Sequence, residues 1–80
     1  MTRVVLYHAD GCHLCGRALE VVEGARAELG FELELVDIGG DPVLEAGYRE
    51  LLPVVEIDGE RAFTYYVPPG ALRDRIAPLG

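Results

Sequence analysis

The sequence predicts an α/β domain in the order βαβ-α-ββα, a four-stranded mixed sheet with helices on both faces. Three observations predict it. A long helical pattern lies between two strand-like runs, Val4 to His8 and Phe31 to Val36. An Asp58-Gly59 pair separates two further strand-like runs, Val54 to Ile57 and Glu60 to Tyr66. Runs such as Val4-Val5-Leu6 and Val54-Val55 suit central strands covered on both faces.

Each element has a local reason. Val4 to His8 is short, apolar and β-branched, which reads as a buried strand. Leu14, Ala18, Val21, Val22, Ala25 and Leu29 then fall on one helical face, and Arg17, Glu20, Glu23 and Glu28 fall largely opposite. Gly30 is placed to end this helix. Gly24 lies inside it on the exposed side, at a cost of about 1 kcal/mol against alanine. Phe31 to Val36 alternates with a strand period, and the preceding helix is the crossover that parallel pairing with the first strand needs. Asp41-Pro42 reads as an N-cap followed by proline at the first helical position of a short helix reaching about Glu50. Asp58-Gly59 suits a type I′ hairpin turn and sets Glu56 opposite Arg61. Pro68-Pro69 starts a last helix, with Leu72 and Ile76 on its inner face.

Composition narrows the function classes. Eighty residues, half of them apolar, make one globular domain spanning 1–80, near the lower limit for a single core. No apolar run approaches the roughly 18 residues of a membrane span, so no membrane association is expected. The N-terminus lacks the pattern of a signal peptide, so a cytoplasmic location is expected. The net charge is −7 and there is no lysine, which argues against nucleic acid as a partner. An acidic surface also mildly repels anionic glutathione at low salt.

Cys12-His13-Leu14-Cys15 holds the only two cysteines, at the junction between the first strand and the long helix. Side chains three apart on a helical turn have Cβ atoms about 5–6 Å apart, close to the roughly 3.5–4.5 Å of a disulfide. The helix start supplies unpaired N–H groups and the positive end of a dipole, and both favour a thiolate at Cys12. The residues alone leave three readings open: a redox dithiol, half of a metal site, or an inert pair. Tetrahedral zinc would need two more ligands. His8 and His13 are near in sequence, but His13 lies between the thiols on the same turn. His13 is either a cation that stabilises the Cys12 thiolate or an exposed first-turn residue. Asp10 is either the turn residue before the helix or an acidic relay. Tyr48, Tyr65 and Tyr66 read mostly as core and surface filling, with one of them a candidate to border the groove, and Arg17 and Arg49 as a solvated helix face in preference to contacts for a substrate carboxylate.

Three stretches, V-V-L-Y-H-A-D-G-C-H-L-C, V-D-I-G-G-D-P and L-L-P-V-V-E-I-D-G, resemble the glutaredoxin-like branch of the thioredoxin superfamily. The similarity is to small glutaredoxin-like proteins of bacteria and covers roughly residues 3 to 77. It implies the thioredoxin fold in its smallest, four-stranded form. It also implies that Pro53 is cis and lies against the dithiol, and that Leu52 offers its backbone groups to an extended substrate. True glutaredoxins usually carry Pro-Tyr between the cysteines, where this chain has His13-Leu14. They also carry a Gly-Gly-x-Asp-like turn that holds glutathione, where this chain runs Tyr65-Tyr66-Val67-Pro68-Pro69-Gly70.

The resemblance and the residues together imply a thiol-disulfide oxidoreductase with Cys12 as nucleophile and Cys15 as resolving thiol. Leu14, Leu52 and Pro53 are the expected substrate-binding residues and His13 the residue that tunes the thiolate. No bound cofactor and no metal are expected. The expected partners are a disulfide-containing protein or small-molecule thiol substrate, and a reductase acting as a thioredoxin-type system or through glutathione. The chain is expected to be a monomer. The competing class is a non-enzymatic module of the same fold, a redox sensor or a metal-linked adaptor.

Overall fold

Arg3–His8 forms β1, His13–Leu29 α1, Glu32–Asp37 β2, Pro42–Tyr48 α2, Val54–Ile57 β3, Glu60–Thr64 β4 and Pro69–Ile76 α3. The structure is a computed structural model that describes residues 2–77. The strands pair in the order β2-β1-β3-β4, with β1 parallel to β2 and antiparallel to β3, and β3 antiparallel to β4. The apolar runs of β1 and β3 therefore take the two central positions, as their composition predicts.

The sheet divides the core in two. On one face Val4, Leu6, Val55 and Ile57 pack with Ala18, Val22 and Ala25 of α1, Phe31, Val67 and Leu72 of α3. On the other face Ala9, Ile38, Leu52 and Val54 pack with Cys15, and Tyr7, Leu44, Tyr48 and Leu51 cover them from β1, α2 and the turn after it. This second cluster contains the sulfur centre. No helix among the described residues is long and apolar enough to cross a membrane.

The local signals act as read. Asp41 caps α2, its Oδ1 accepting from the N–H groups of Val43 and Leu44 at 3.0 and 3.2 Å, with Pro42 at the first helical position. Asp58 and Gly59 have φ of 51° and 85°, the two positive values that a type I′ turn demands. Gly30 closes α1, its N–H donating to the Arg26 carbonyl at 2.8 Å.

Four expectations need correction. Leu14 and Leu29, assigned to the apolar face of α1, are 48% and 37% exposed, because they lie at the two ends of the helix where its cover runs out. α2 ends at Tyr48, and Arg49–Leu51 tightens into a 3₁₀ turn. β4 ends at Thr64 rather than Tyr66, because Tyr65 turns to φ 67°. Glu56 stands opposite Arg61 as predicted, across an irregularity after Val55, but its carboxylate serves two tyrosines instead.

Gly24 is exposed in the middle of α1, and a Cβ built there meets nothing within 4 Å. Gly24→Ala is therefore expected to stabilise the fold by about 0.5–1 kcal/mol, raising Tm by roughly 2–8 °C. Thermal unfolding of both proteins with the cysteines in one redox state checks this. A lower Tm would contradict it.

Candidate active site

β1 delivers the chain to the sulfur centre. After His8 the buried Ala9 anchors the turn, and Gly11 passes through φ 79°, a conformation that a side chain would strain. The Cys12 N–H donates to the Ala9 carbonyl at 3.4 Å. Cys12 is the N-cap of α1 with extended backbone angles, and the Cys15 N–H donates to its carbonyl at 3.3 Å. Cys12 and Cys15 are joined as a disulfide, with Cα atoms 5.4 Å apart.

The two sulfurs are not equivalent. Cys15 is 7% exposed, on the helix face that continues through Ala18, Val22 and Ala25. Cys12 is more open, at the helix end where amide N–H groups lack intrahelical partners. The first turn of α1 carries no acidic residue to oppose an anion there. His13 and Leu14 are both exposed between the thiols. Among the described residues no group of three or more His, Cys, Asp or Glu side chains gathers as a metal site would require.

The Leu52–Pro53 peptide is cis. Leu52 packs in the same cluster as Cys15 and Cys12, and Pro53 is fully buried. The carbonyls of Leu51 and Pro53 both accept from the Tyr65 N–H, at 3.3 and 3.0 Å. Among the described residues the Leu52 carbonyl between them accepts no such bond. That hydrogen-bonded clasp holds Tyr65 and Tyr66 beside Leu52–Pro53, with half of each tyrosine exposed. The sequence marks these tyrosines mostly as filling, with one of the three a candidate for the groove, and does not say which. The hairpin contained the signal: antiparallel pairing of Val54 with Thr64 brings the end of β4 back to the start of β3.

Behind the proline lies a polar cluster that the sequence did not reveal. The rings of Tyr7 and Tyr48 stack with centroids 4.4 Å apart. Both hydroxyls donate to Glu56, at 3.0 and 2.9 Å, and the Arg61 guanidinium lies 5.5 Å from the Tyr48 ring centroid. Burial, then the Glu56 carboxylate that accepts its proton, pushes the Tyr7 hydroxyl well above the ordinary phenol range. Tyr7 is thus a neutral donor that ties β1 to β3 and α2 under the site. Arg49 pairs with Glu45 one turn earlier, which fits its reading as a solvated helix face.

On the other side of the disulfide a cleft of about 310 Å³ opens between α1, β1 and β2. His8 and Asp10 line it together with both cysteines. Gly16, Leu19 and Leu35 complete its wall, and sequence reasoning singled out none of the three as site residues. Leu35 could have been found from its place in the alternating run, had β2 been recognised as an edge strand.

Known proteins share this fold. A structure of the target protein XcR50 from X. campestris superposes with a TM-score of 0.78 at 30% identity, covering 96% of this chain and 99% of that one. The protein Ne2328 from Nitrosomonas europaea gives 0.79 at 23% identity, with 95% and 92% covered. Chloroplastic thioredoxin z gives 0.78 at 19% identity over 95% of this chain and 75% of that one, a likeness of fold. The fold is thus the thioredoxin fold with a four-stranded sheet. The uncharacterized protein Rv0508 of Mycobacterium tuberculosis is 34% identical over 80 residues, 94% of this chain and 82% of the relative. The family described as Glutaredoxin-like domain (DUF836) matches residues 3–77. That match begins with the first residue of β1 and ends just past α3, so it takes in the cysteines, the cis proline and every strand between them, and the chain belongs to this glutaredoxin-like family.

Proposed function

We propose that the protein is a thiol-disulfide oxidoreductase that reduces disulfides through Cys12 and Cys15. The observation that carries this is the unequal pair: a partly covered cysteine at the α1 N-cap bonded to a buried one a turn inside. In the reduced protein the Cys12 thiolate attacks a substrate disulfide, forms a mixed disulfide and expels the first substrate thiolate. Cys15 then attacks the Cys12 sulfur and releases the second. One disulfide breaks, the Cys12–Cys15 disulfide forms, and two electrons pass to the substrate. Leu52 supplies backbone groups for an extended substrate, Pro53 orients them, and Leu14 is the exposed apolar contact on α1. His13, as a cation, favours the thiolate.

The donor that returns the two electrons is a thioredoxin-type system in preference to glutathione. Where a glutathione-binding turn would follow the last strand, the clasped Tyr65-Tyr66 pair stands, and the net charge of −7 repels an anionic tripeptide. One missing charge-assisted hydrogen bond of about 1.5–3 kcal/mol corresponds to about tenfold or more in rate. Disulfide turnover supported by glutathione and its reductase is expected to be slower than that with thioredoxin and its reductase by at least that factor. The two assays are run in parallel on one protein preparation. Equal or faster turnover with glutathione overturns the donor assignment. No turnover with either system moves the reading to a non-enzymatic redox-sensing module.

A further inference from the structure

Pro53 leads into β3, whereas the cleft beside the disulfide is walled by Leu35 of β2, and β2 and β3 flank β1 on opposite sides. A segment that crosses Cys12 therefore meets Leu52 on one side and this cleft on the other. The cleft is apolar within: Leu6, Ala9, Leu19 and Leu35 line it, and Leu35 is 45% exposed although it adjoins the reactive centre. Gly16 leaves one wall low, since a Cβ built there meets nothing within 4 Å. Apart from His8, Asp10 is the only ionisable lining residue outside the two cysteines, and the three ion pairs among the described residues do not involve it. The cleft's volume of about 310 Å³ is at the lower end for a ligand pocket and exceeds what one aliphatic side chain needs.

The geometry points to a substrate class: the cleft receives an aliphatic side chain next to the reactive cysteine of a peptide or protein disulfide, and a basic residue of the same segment meets Asp10. The inference rests on the oxidoreductase reading above. An aliphatic group gains by removing both itself and Leu35 from water. A basic residue is drawn both by Asp10 and by a chain of net charge −7, and an acidic one is repelled by both. The selectivity is exerted on transfer of two electrons from the Cys12–Cys15 dithiol. The substrate disulfide breaks as the protein disulfide forms, and the two thiol protons end on the two substrate thiols.

The test uses pre-reduced protein in single turnover, without any reductase, against three symmetric peptide disulfides. In the first the cysteine is flanked by leucines with outer arginines. The second replaces the leucines by glycines, and the third replaces the arginines by glutamates. The first is expected to react about tenfold faster than the second, and faster than the third. Gly16→Leu fills the cleft and Leu35→Asp makes it polar, and each is expected to bring the leucine-to-glycine ratio below about threefold. Asp10→Asn is expected to narrow the arginine-to-glutamate ratio. The readout is a ratio within each protein, so a general change in reactivity cancels, and two dissimilar variants guard against misfolding of either. A leucine-to-glycine ratio near one in the unmodified protein overturns the proposal. So does a ratio unchanged in both cleft variants. 2-Hydroxyethyl disulfide separates the two levels of failure. Its reduction without a leucine preference defeats the cleft alone, and no reduction of it or of any peptide defeats the oxidoreductase reading and the cleft with it.

Discussion

Cys15→Ser is expected to hold a long-lived mixed disulfide between Cys12 and a substrate thiol, while Cys12→Ser captures almost nothing. The asymmetry follows from position. Cys12 is the N-cap of α1, with unpaired amide donors, no acidic residue in the first turn and access to solvent. Its thiolate is stabilised there, and the same stabilisation makes it a good leaving group. Cys15 lies on the buried face with Ala18, at 7% exposure, and is poorly placed to meet an external disulfide. Its advantage is proximity to Cys12, with Cα atoms 5.4 Å apart. Effective molarities for well-oriented groups reach about 10⁵ M or more. Without Cys15, release depends on external thiols at roughly millimolar levels, many orders of magnitude below that figure. Multiple turnover should therefore collapse in both variants, but only Cys15→Ser should accumulate an adduct. Capture from a cell extract by each variant, elution with reductant and mass analysis of the intact adduct check this. Equal capture by both, or by neither, means that the two sulfurs do not divide the work as nucleophile and resolver.

The parts of the fold that depend on local pattern were legible, and the parts that depend on where one element stops covering another were not. The apolar run of β1, the period of α1, the Asp41 cap and the Asp58-Gly59 turn each have a local cause, and each appears in the structure. Helical periodicity identifies a face but says nothing about how far the sheet extends beneath it. That is why Leu14 and Leu29 were assigned inward and are exposed. In the site, the cysteines and the cis proline were legible because spacing and a motif mark them. The stack of Tyr7 on Tyr48 was not, since it joins residues from β1 and α2 that only the packed sheet brings together. Glu56 was given the right cross-strand neighbour and the wrong bonds for the same reason. Register fixes which residues face each other on two strands, but Tyr48 approaches from outside the sheet.

Leu72→Ala is expected to cost about 2–5 kcal/mol, the range for emptying a buried leucine site. Leu72 is fully buried and is the one buried residue of α3. Around it stand Ala25 and Val22 of α1, Val67 and the inner face of β1 and β3, with Ile76 only partly covered. α3 has little else to hold it. Its first turn lacks a side-chain cap, and the Arg73–Glu28 ion pair to α1 is exposed on both sides, worth at most about 1 kcal/mol. A domain of this length has a total stability of roughly 4–12 kcal/mol, so the loss is a large part of the whole. It lowers Tm by roughly 8–40 °C. Leu72→Met nearly conserves volume and should cost less than about 1.5 kcal/mol. Denaturant unfolding of the three proteins in one redox state measures both differences. A cost below about 1 kcal/mol for the alanine variant would mean that α3 is anchored by something other than Leu72. The sheet adds a second expectation. Leu72 belongs to the cluster on the α1 and α3 face, while Cys15, Leu52 and Tyr7 belong to the cluster on the other. Well below its unfolding transition, the alanine variant should therefore keep the alkylation rate of Cys12 within about twofold, because the two residues lie in separate core clusters linked only through α1 and Leu6. A parallel fall in stability and in Cys12 reactivity would show that the two halves of this core are coupled through α1.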